Sequence, residues 1–446
     1  MASAAEQLAA NLNFGALAKA TELKQRIWFT LGALLVYRLG TYIPLPGIDP
    51  SAWEQIFRTQ AGGILGMFNM FAGGGIHRMA IFALNIMPYI SASIIIQLMT
   101  TVSPTLENLK KEGEQGRKIM NQYTRYLTVV LACFQAYGIS IGLEGAGQQV
   151  VSDPGLFFRI STVITLCGGT VFLMWLGEQI TARGIGNGIS LIILAGIVAE
   201  LPSALVGMFE LGRQGALSTG LILVVIVMAV AVIAFIVFME RAQRRLLIQY
   251  PKRQVGNRMF EGQSSHLPLK LNTSGVIPPI FASSLLLLPT TVANFSSTGT
   301  TGPEWLQWIV TNFSHGRPLF LISYVLLIVF FAFFYTAIVF NPTETADNLK
   351  KHGGFIPGIR PGERTAEYID YVLSRVTVIG AAYLAIVCLI PEILISYAAV
   401  PFYFGGTSLL IVVSVTMDTV AQVQGYLLAH QYEGLIKKSK LRGRRR

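Results

Sequence analysis

Ten long apolar runs, joined by short polar loops, leave this 446-residue chain little choice but a lipid bilayer. The runs are 27–43, 79–100, 126–143, 156–176, 189–208, 217–239, 276–295, 319–340, 376–395 and 402–428. Each is close to the ~20 residues that an α-helix needs to cross roughly 30 Å of hydrocarbon. Only 13% of the residues are charged, about half the ~25% of a soluble domain. The expected fold is an all-α integral membrane protein with ten transmembrane helices. Residues 1–20 hold no continuous apolar core, so no cleavable signal peptide is expected there.

Basic residues set the orientation. Ten spans put both termini on one side, and 28 of the 34 Lys and Arg residues fall on that side. The six others are Arg38, Arg58, Arg78, Arg159, Arg213 and Arg317. Basic loops stay in the cytoplasm, so both termini are expected there. The net charge of +11 is then a cytoplasmic feature, open to a ribosome but no nucleic-acid signature in itself. Cys133, Cys167 and Cys388 lie inside apolar runs and read as small hydrophobic residues, not a disulfide framework. The five His residues are scattered and suggest no metal site.

One short apolar stretch does not fit the pattern of spans. Gly62–Gly75 reads GGILGMFNMFAGGG, and Ile64–Ala72 would rise only about 14 Å as a helix. It cannot span. The glycines at both ends suggest hinges, and a long helix over Met79–Thr100 is expected to follow. Such a piece is tolerated at membrane depth only where protein buries it or it lines a cavity. It reads as a movable stopper, or more simply as a surface loop with apolar residues.

An internal echo appears between runs two and seven. Pro88-Tyr89-Ile90-Ser91-Ala92-Ser93 matches Pro278-Pro279-Ile280-Phe281-Ala282-Ser283 at four of six positions. Ten spans thus divide into two halves of five, residues 1–210 and 211–428, followed by a basic tail, 429–446. An odd number of spans per half inverts the second, and inverted repeats place a pathway between them. Ile86, Ile90, Ser93 and Gln97 share one helical face. Ile280, Ser284 and Leu287 repeat the spacing, and Ile189 and Ile193 make a further pair. Plain packing explains isoleucines equally well; the serines and glutamine beside them shift the weight to a pathway.

Two cytoplasmic loops carry shape of their own. In 240–272, Leu246–Tyr250 reads as a strand and Lys252–Gly256 as a turn, giving a basic hairpin. In 341–375, Asn341 is the expected N-cap, Pro342 the first helical residue and Glu344 the capping-box acid. Gly353-Gly354 should end that helix. The tip Ile356–Gly362 then presents Arg360 between two Pro-Gly turns. Solvated loops would show the same composition.

Engines and hydrolases leave no usable signature: GxxxxGK[ST] and HExxH are absent, and Gly138-Ile139-Ser140-Ile141-Gly142 matches GxSxG only inside the apolar run 126–143, where no strand-to-helix elbow is expected. Gly184-Ile185-Gly186-Asn187-Gly188 imitates a nucleotide-binding glycine pattern, yet it follows a membrane run and reads as a tight turn between helices. A proton-coupled carrier keeps ionisable groups deep in the bilayer. Here Asp418 is the clearest such group, with Glu178 and Glu240 at helix ends. A passive conduit fits better than a secondary transporter of a small solute, and a purely structural receptor for ribosomes is the third reading.

The chain resembles the SecY family, the channel subunit of the bacterial Sec protein-export translocon, over nearly its whole length. The segments that carry the likeness are FNMFAGGG (68–75), NIMPYISASIIIQL (85–98), FLMWLGEQITARGIGNGIS (172–190), HLPLKLNTSGVIPPIFASS (266–284), FNPTETADNLKKHGGFIPGIRPGERTAEYID (340–370) and VPFYFGGTSLLIVVSVTMD (400–418). The resemblance implies two pseudo-symmetric halves, an hourglass pore, a plug helix and a lateral gate. It puts the plug on Ile64, Leu65, Met67, Phe68, Asn69, Met70 and Phe71. The pore ring falls on Ile86, Ile90, Ile189, Ile193, Ile280 and Ile411. The gate takes Ser91, Ser93, Gln97, Ser283 and Ser284. Motor and ribosome contacts fall on Arg253, Arg258 and Arg360. Expected partners are the SecE and SecG membrane subunits, the SecA motor, the ribosome, preprotein signal sequences and lipids, in the bacterial inner membrane. No cofactor and no catalysis are implied. Pro279 replaces a small residue of some relatives and leaves the bend of helix seven open.

Overall fold

The computed structural model describes residues 21–60, 69, 72–145, 150–215, 218–250, 253–255, 258–260, 264–296, 312, 317–398 and 406–443. The chain divides into two compact units. One comprises Met1–Gly207, Thr291–Val310 and Val415–Arg446; the other comprises Met208–Thr290 and Thr311–Ser414.

The first unit holds α1 (Thr21–Gly40), α2 (Pro50–Gln60), α3 (Met87–Val102), α4 (Pro104–Lys111), α5 (Glu114–Gly145), α6 (Leu156–Arg183) and most of α7 (Gly188–Arg213). The second holds α8 (Thr219–Arg241), strands β1 (Gln243–Gln249), β2 (Arg253–Val255), β3 (Arg258–Phe260) and β4 (Ser264–Lys270), most of α9 (Ile277–Ser296), then α10 (Pro318–Val339), α11 (Pro342–Lys351) and α12 (Glu363–Ala398). The last helix, α13 (Gly406–Gly443), starts in the second unit and ends in the first.

Among the described residues, ten helices reach 16 residues or more, one for each apolar run. Seven helices are long and apolar enough to cross a membrane by themselves, and α3 with α4, bent by 100°, makes an eighth if taken as one span. The chain is therefore a multi-pass, all-α membrane protein.

The α5–α6 hairpin shows how such spans are fastened. Near one end Arg125 donates to Glu178 through Nε (2.9 Å) and Nη2 (2.6 Å). At the other, Arg159 donates to Glu144 Oε2 through Nε (2.8 Å) and Nη2 (2.6 Å), while Glu144 Oε1 accepts the Gly155 N–H. Two-point Arg–carboxylate contacts fix geometry as well as charge. Between them the thiols of Cys133 and Cys167 lie 3.1 Å apart as free cysteines, as their apolar setting suggests.

Run two departs from expectation. The helix over Met79–Thr100 begins only at Met87. Before it, residues 72–86 form successive tight turns and are largely buried. Met79 (φ 45°) and Asn85 (φ 48°) adopt the left-handed region, which a continuous right-handed helix cannot contain. Pro88, at the second helical position, supplies no N–H where none is needed.

Candidate functional site

The irregular segment is the most unusual backbone in the first unit, and much of its backbone is hydrogen-bonded. Within it, Gly74 N donates to Asn69 O (3.0 Å), Ala80 N to Gly75 O (2.7 Å), Ala83 N to Ala80 O (2.9 Å) and Asn85 N to Phe82 O (2.9 Å). The loop after α1 adds a bridge: Ile81 N donates to Ile43 O and Leu45 N to Met79 O, both at 2.9 Å. Backbone that is not helical needs such partners at membrane depth.

Side chains of α1 and α2 hold the same stretch. Arg38 Nη1 donates to Gly73 O (2.6 Å), and Trp53 Nε1 donates to Ile76 O (2.8 Å). Asn69 Oδ1 accepts the His77 N–H (2.8 Å). Asp49 starts α2 by accepting the Ser51 N–H and Oγ–H, which hold its carboxyl below the usual carboxylate range.

The glycines at 73 and 74 are also closely packed. A Cβ on Gly73 would stand 2.8 Å from Gly196 Cα, and one on Gly74 would stand 2.3 Å from Glu200 Oε1. Both adopt the left-handed region, at φ 60° and 82°, with Gly196 backbone against Gly73 and the Glu200 side chain against Gly74. Of the plug residues, Ile64, Leu65, Met67, Phe68, Met70 and Phe71 lie outside the described residues, as do Gly62 and Gly63.

Ile86 caps the start of α3, and Ile90 N donates to its carbonyl (3.0 Å), so the pair keeps its one-turn spacing; both are buried. Ile189 opens α7, its N–H held by Asn187 Oδ1 (3.1 Å), with buried Ile193 one turn later. The glycine pattern before it joins two helices: a Cβ on Gly188 would meet Gly177 O of α6 at 2.0 Å. That is helix–turn–helix packing, without the strand a nucleotide loop requires. In the second unit Ile280 is half-buried in the first turn of α9, and Ile411 of α13 is buried. Pro278 and Pro279 also sit in that first turn, where helices tolerate proline without bending.

Among the gate residues, Ser91, Ser283 and Ser284 are buried, while Ser93 and Gln97 are half-buried and linked, Nε2 to Oγ, at 3.5 Å. Ser283 Oγ donates to Ile280 O (2.9 Å). Two acidic groups that sequence reading passed over sit in helices: half-buried Glu200 of α7 and buried Glu392 of α12.

The loops over 240–272 and 341–375 pack together. β1 pairs antiparallel with β4 from Gln243↔Lys270 to Gln249↔Ser264. The turn expected over Lys252–Gly256 is shorter, because Arg253–Val255 is a strand that pairs with Arg258–Phe260; only Gly256 and Asn257 connect them. The side chains of Arg253 and Arg258 lie outside the described residues. Asn341 caps α11 as expected, its Oδ1 accepting the Thr343 and Glu344 N–H groups. The helix ends in a Schellman motif: Gly353 N donates to Lys350 O (3.1 Å) and Gly354 N to Leu349 O (2.9 Å).

From there the chain pairs with the hairpin. Gln249 and Phe355 exchange both backbone hydrogen bonds, at 2.9 and 3.0 Å. Ile356 enters a buried cluster with Leu246, Leu269 and Ile369. Arg360 stands exposed between Gly358 (φ 84°) and Gly362 (φ 110°), with its carbonyl accepting from Thr365 Oγ1 (2.8 Å). The apolar run Leu246-Leu247-Ile248 gives no sign of this pairing; in the structure Leu246 and Ile248 are buried and Leu247 is exposed.

The sequence profile of the SecY family matches residues 80–420. The chain belongs to the SecY family. Protein translocase subunit SecY of Rickettsia typhi is 56% identical over 424 residues, covering 94% of this chain and 97% of the relative. The SecY of Escherichia coli K12 is 56% identical, covering 95% and 96%. Among solved structures, one described as a protein conducting channel superposes with a TM-score of 0.63 at 17% identity, covering 90% of this chain and 92% of that one. Canine Sec61 in a ribosome–channel complex gives 0.61 at 16%, covering 90% and 92%. These structures share the SecY fold, and the family counts against a small-solute carrier.

Proposed function

We propose that this chain passes unfolded preproteins across the bacterial inner membrane and releases hydrophobic segments sideways into lipid. Moving proteins through a membrane is the work of its family. The carrying observation is residues 72–86: non-helical backbone, internally bonded and buried by protein, next to the apolar start of α3. A simple bundle of spans has no need of such a segment; a channel with a returning plug does.

Ile86, Ile90, Ile189, Ile193, Ile280 and Ile411 form the constriction in this reading. Apolar side chains make no fixed hydrogen bonds to a passing peptide and hold back ions by dewetting. Ile64–Phe71 is the plug, and Ser91, Ser93, Gln97, Ser283 and Ser284 line the lateral gate. Both termini are cytoplasmic. Arg253, Arg258 and Arg360 meet the SecA motor or the ribosome, while SecE and SecG complete the membrane complex. The chain is not an enzyme: it lacks a nucleotide motif, and its driving energy comes from the partner. The test is reconstitution with SecE and a SecA motor, scored by protease protection of a preprotein. Loss of protection on Arg360→Glu, with the complex intact, is expected. Protection at parent levels in that variant would overturn the docking role of the tip.

A further inference from the structure

The α5–α6 hairpin carries two free thiols whose depth and neighbours are both fixed. The Arg125–Glu178 and Arg159–Glu144 pairs close the hairpin at its two ends. From Arg125 to Glu144, α5 rises about 28 Å, close to the roughly 30 Å of a hydrocarbon core. Cys133 and Cys167 each lie more than two helical turns from either clamp. The pair therefore stands deep in the hydrocarbon, where water-soluble oxidants are scarce and apolar ones collect.

The two sulfurs are not equivalent. Cys167 is buried, and its Sγ donates to the Val129 carbonyl (3.6 Å). With that proton engaged, the 3.1 Å contact between the thiols is donated by Cys133, and a Cys167 lone pair faces the Cys133 sulfur. Cys133 is half-buried and shares a helical face with exposed Tyr126, Val130 and Tyr137. An isolated buried thiol is inert. Here the first sulfur borders an exposed apolar stripe, and the second already touches it.

We propose that Cys133 and Cys167 are an oxidisable dithiol, with Cys133 the attacking sulfur, Cys167 the resolving one and an apolar hydroperoxide, such as an oxidised acyl chain, the oxidant. Cys133 Sγ attacks the terminal peroxide oxygen, the O–O bond breaks and the thiol proton leaves with the alcohol, so that Cys133 becomes a sulfenic acid. Cys167 Sγ then attacks Cys133 Sγ and expels hydroxide, which takes the Cys167 proton and departs as water. Two electrons pass from the sulfurs to the peroxide. One hydroperoxide yields one disulfide, one alcohol and one water. The sulfurs must close by about 1 Å to reach the ~2.05 Å of a disulfide, and the product staples α5 to α6 between the two clamps.

The test uses the full chain in complex with SecE, in liposomes of saturated lipid that bring no peroxide of their own. Cumene hydroperoxide is added, and the cysteines are mapped by mass spectrometry after alkylation in denaturant. A Cys133–Cys167 linkage should form while Cys388 stays alkylated. Hydrogen peroxide at equal concentration should react at least about tenfold more slowly, since a polar oxidant partitions poorly into hydrocarbon.

Cys167→Ser should leave Cys133 as a sulfenic acid that dimedone captures, whereas Cys133→Ser should leave Cys167 unoxidised. Absence of the linkage in the parent complex would refute the proposal, and that measurement requires no variant to assemble. Dimedone capture on Cys167 in the Cys133→Ser variant would overturn the assigned roles. Equal rates with the two peroxides would overturn the apolar oxidant.

Discussion

Two adjacent glycines of α6 offer a test in which the usual helix argument cancels. A Cβ on Gly168 would meet nothing within 4 Å, whereas one on Gly169 would stand 2.2 Å from Ile81 O and 3.2 Å from Phe82 Cδ1. Alanine at either place gains the same helix propensity, up to about 1 kcal/mol in water. Their difference therefore reports only the contact with the irregular segment. The Gly169 methyl must push the Ile81 carbonyl back by about 1 Å to reach ordinary contact, and overpacking of that kind costs about 1–3 kcal/mol. Gly168→Ala should be neutral or stabilising. Gly169→Ala should be less stable than Gly168→Ala by about 1–3 kcal/mol, a factor of roughly 5 to 150 in the unfolding equilibrium. Thermal unfolding in matched detergent, with protection of peptides over 78–86 as a second readout, measures it. Equal stability of the two variants, with unchanged exchange over 78–86, would show that residues 72–86 are not packed on α6.

Other outcomes follow from the same structure. Ile356→Ala should cost about 2–5 kcal/mol locally and release the Gln249–Phe355 bridge, seen as new protease cleavage near the tip; an unchanged digest would sever the tip from the cluster. Asn341→Ala should weaken α11 by about 1 kcal/mol, read as faster exchange over 342–351, with Asn341→Ser close to the parent. Serine at several of Ile86, Ile90, Ile189, Ile193, Ile280 and Ile411 should raise resting conductance in planar bilayers, more so without residues 64–71. A current equal to the parent's under both conditions would make them ordinary packing. Cysteine pairs scanned between 87–98 and 277–288 should yield disulfides that stop lateral exit, and failure of every pair would refute the gate.

What could be read from the sequence follows the range of the forces involved. Spans declare themselves by hydropathy, so each of the ten runs holds a helix. Local capping was equally plain: Asn341, Pro342 and Gly353-Gly354 act through bonds spanning a few residues. The late start of α3 is hidden because Met79–Ile86 is apolar apart from Asn85, and hydropathy cannot tell buried turns from buried helix. The close packing at Gly73 and Gly74 is likewise not legible in the sequence. Glycine signals permission, and the neighbours that crowd these two, Gly196 and Glu200, lie more than a hundred residues away. The pairing of loops 240–272 and 341–375 depends on Phe355 meeting Gln249, a contact that no local pattern announces.

The proline echo gains a physical meaning from where it falls. Pro88 and Pro278 each occupy the second position of their helix, with Ile90 and Ile280 both at the fourth. The first four N–H groups of any helix lack intrahelical acceptors, and leaving one unpaired away from water costs several kcal/mol. Pro88 removes one such donor from α3, and Pro278 with Pro279 removes two from α9, all three at buried positions. Ile90 N and Ile280 N reach back to Ile86 O (3.0 Å) and Val276 O (3.5 Å). A helix so equipped can begin inside protein with apolar side chains around its first turn and no capping hydroxyl or carboxylate. A polar cap at Ile86 would bring an acceptor, and with it water, to a place proposed to stay dry. Helices α3 and α9 thus share more than a sequence match: each has proline at its second position, and that start leaves room for isoleucine.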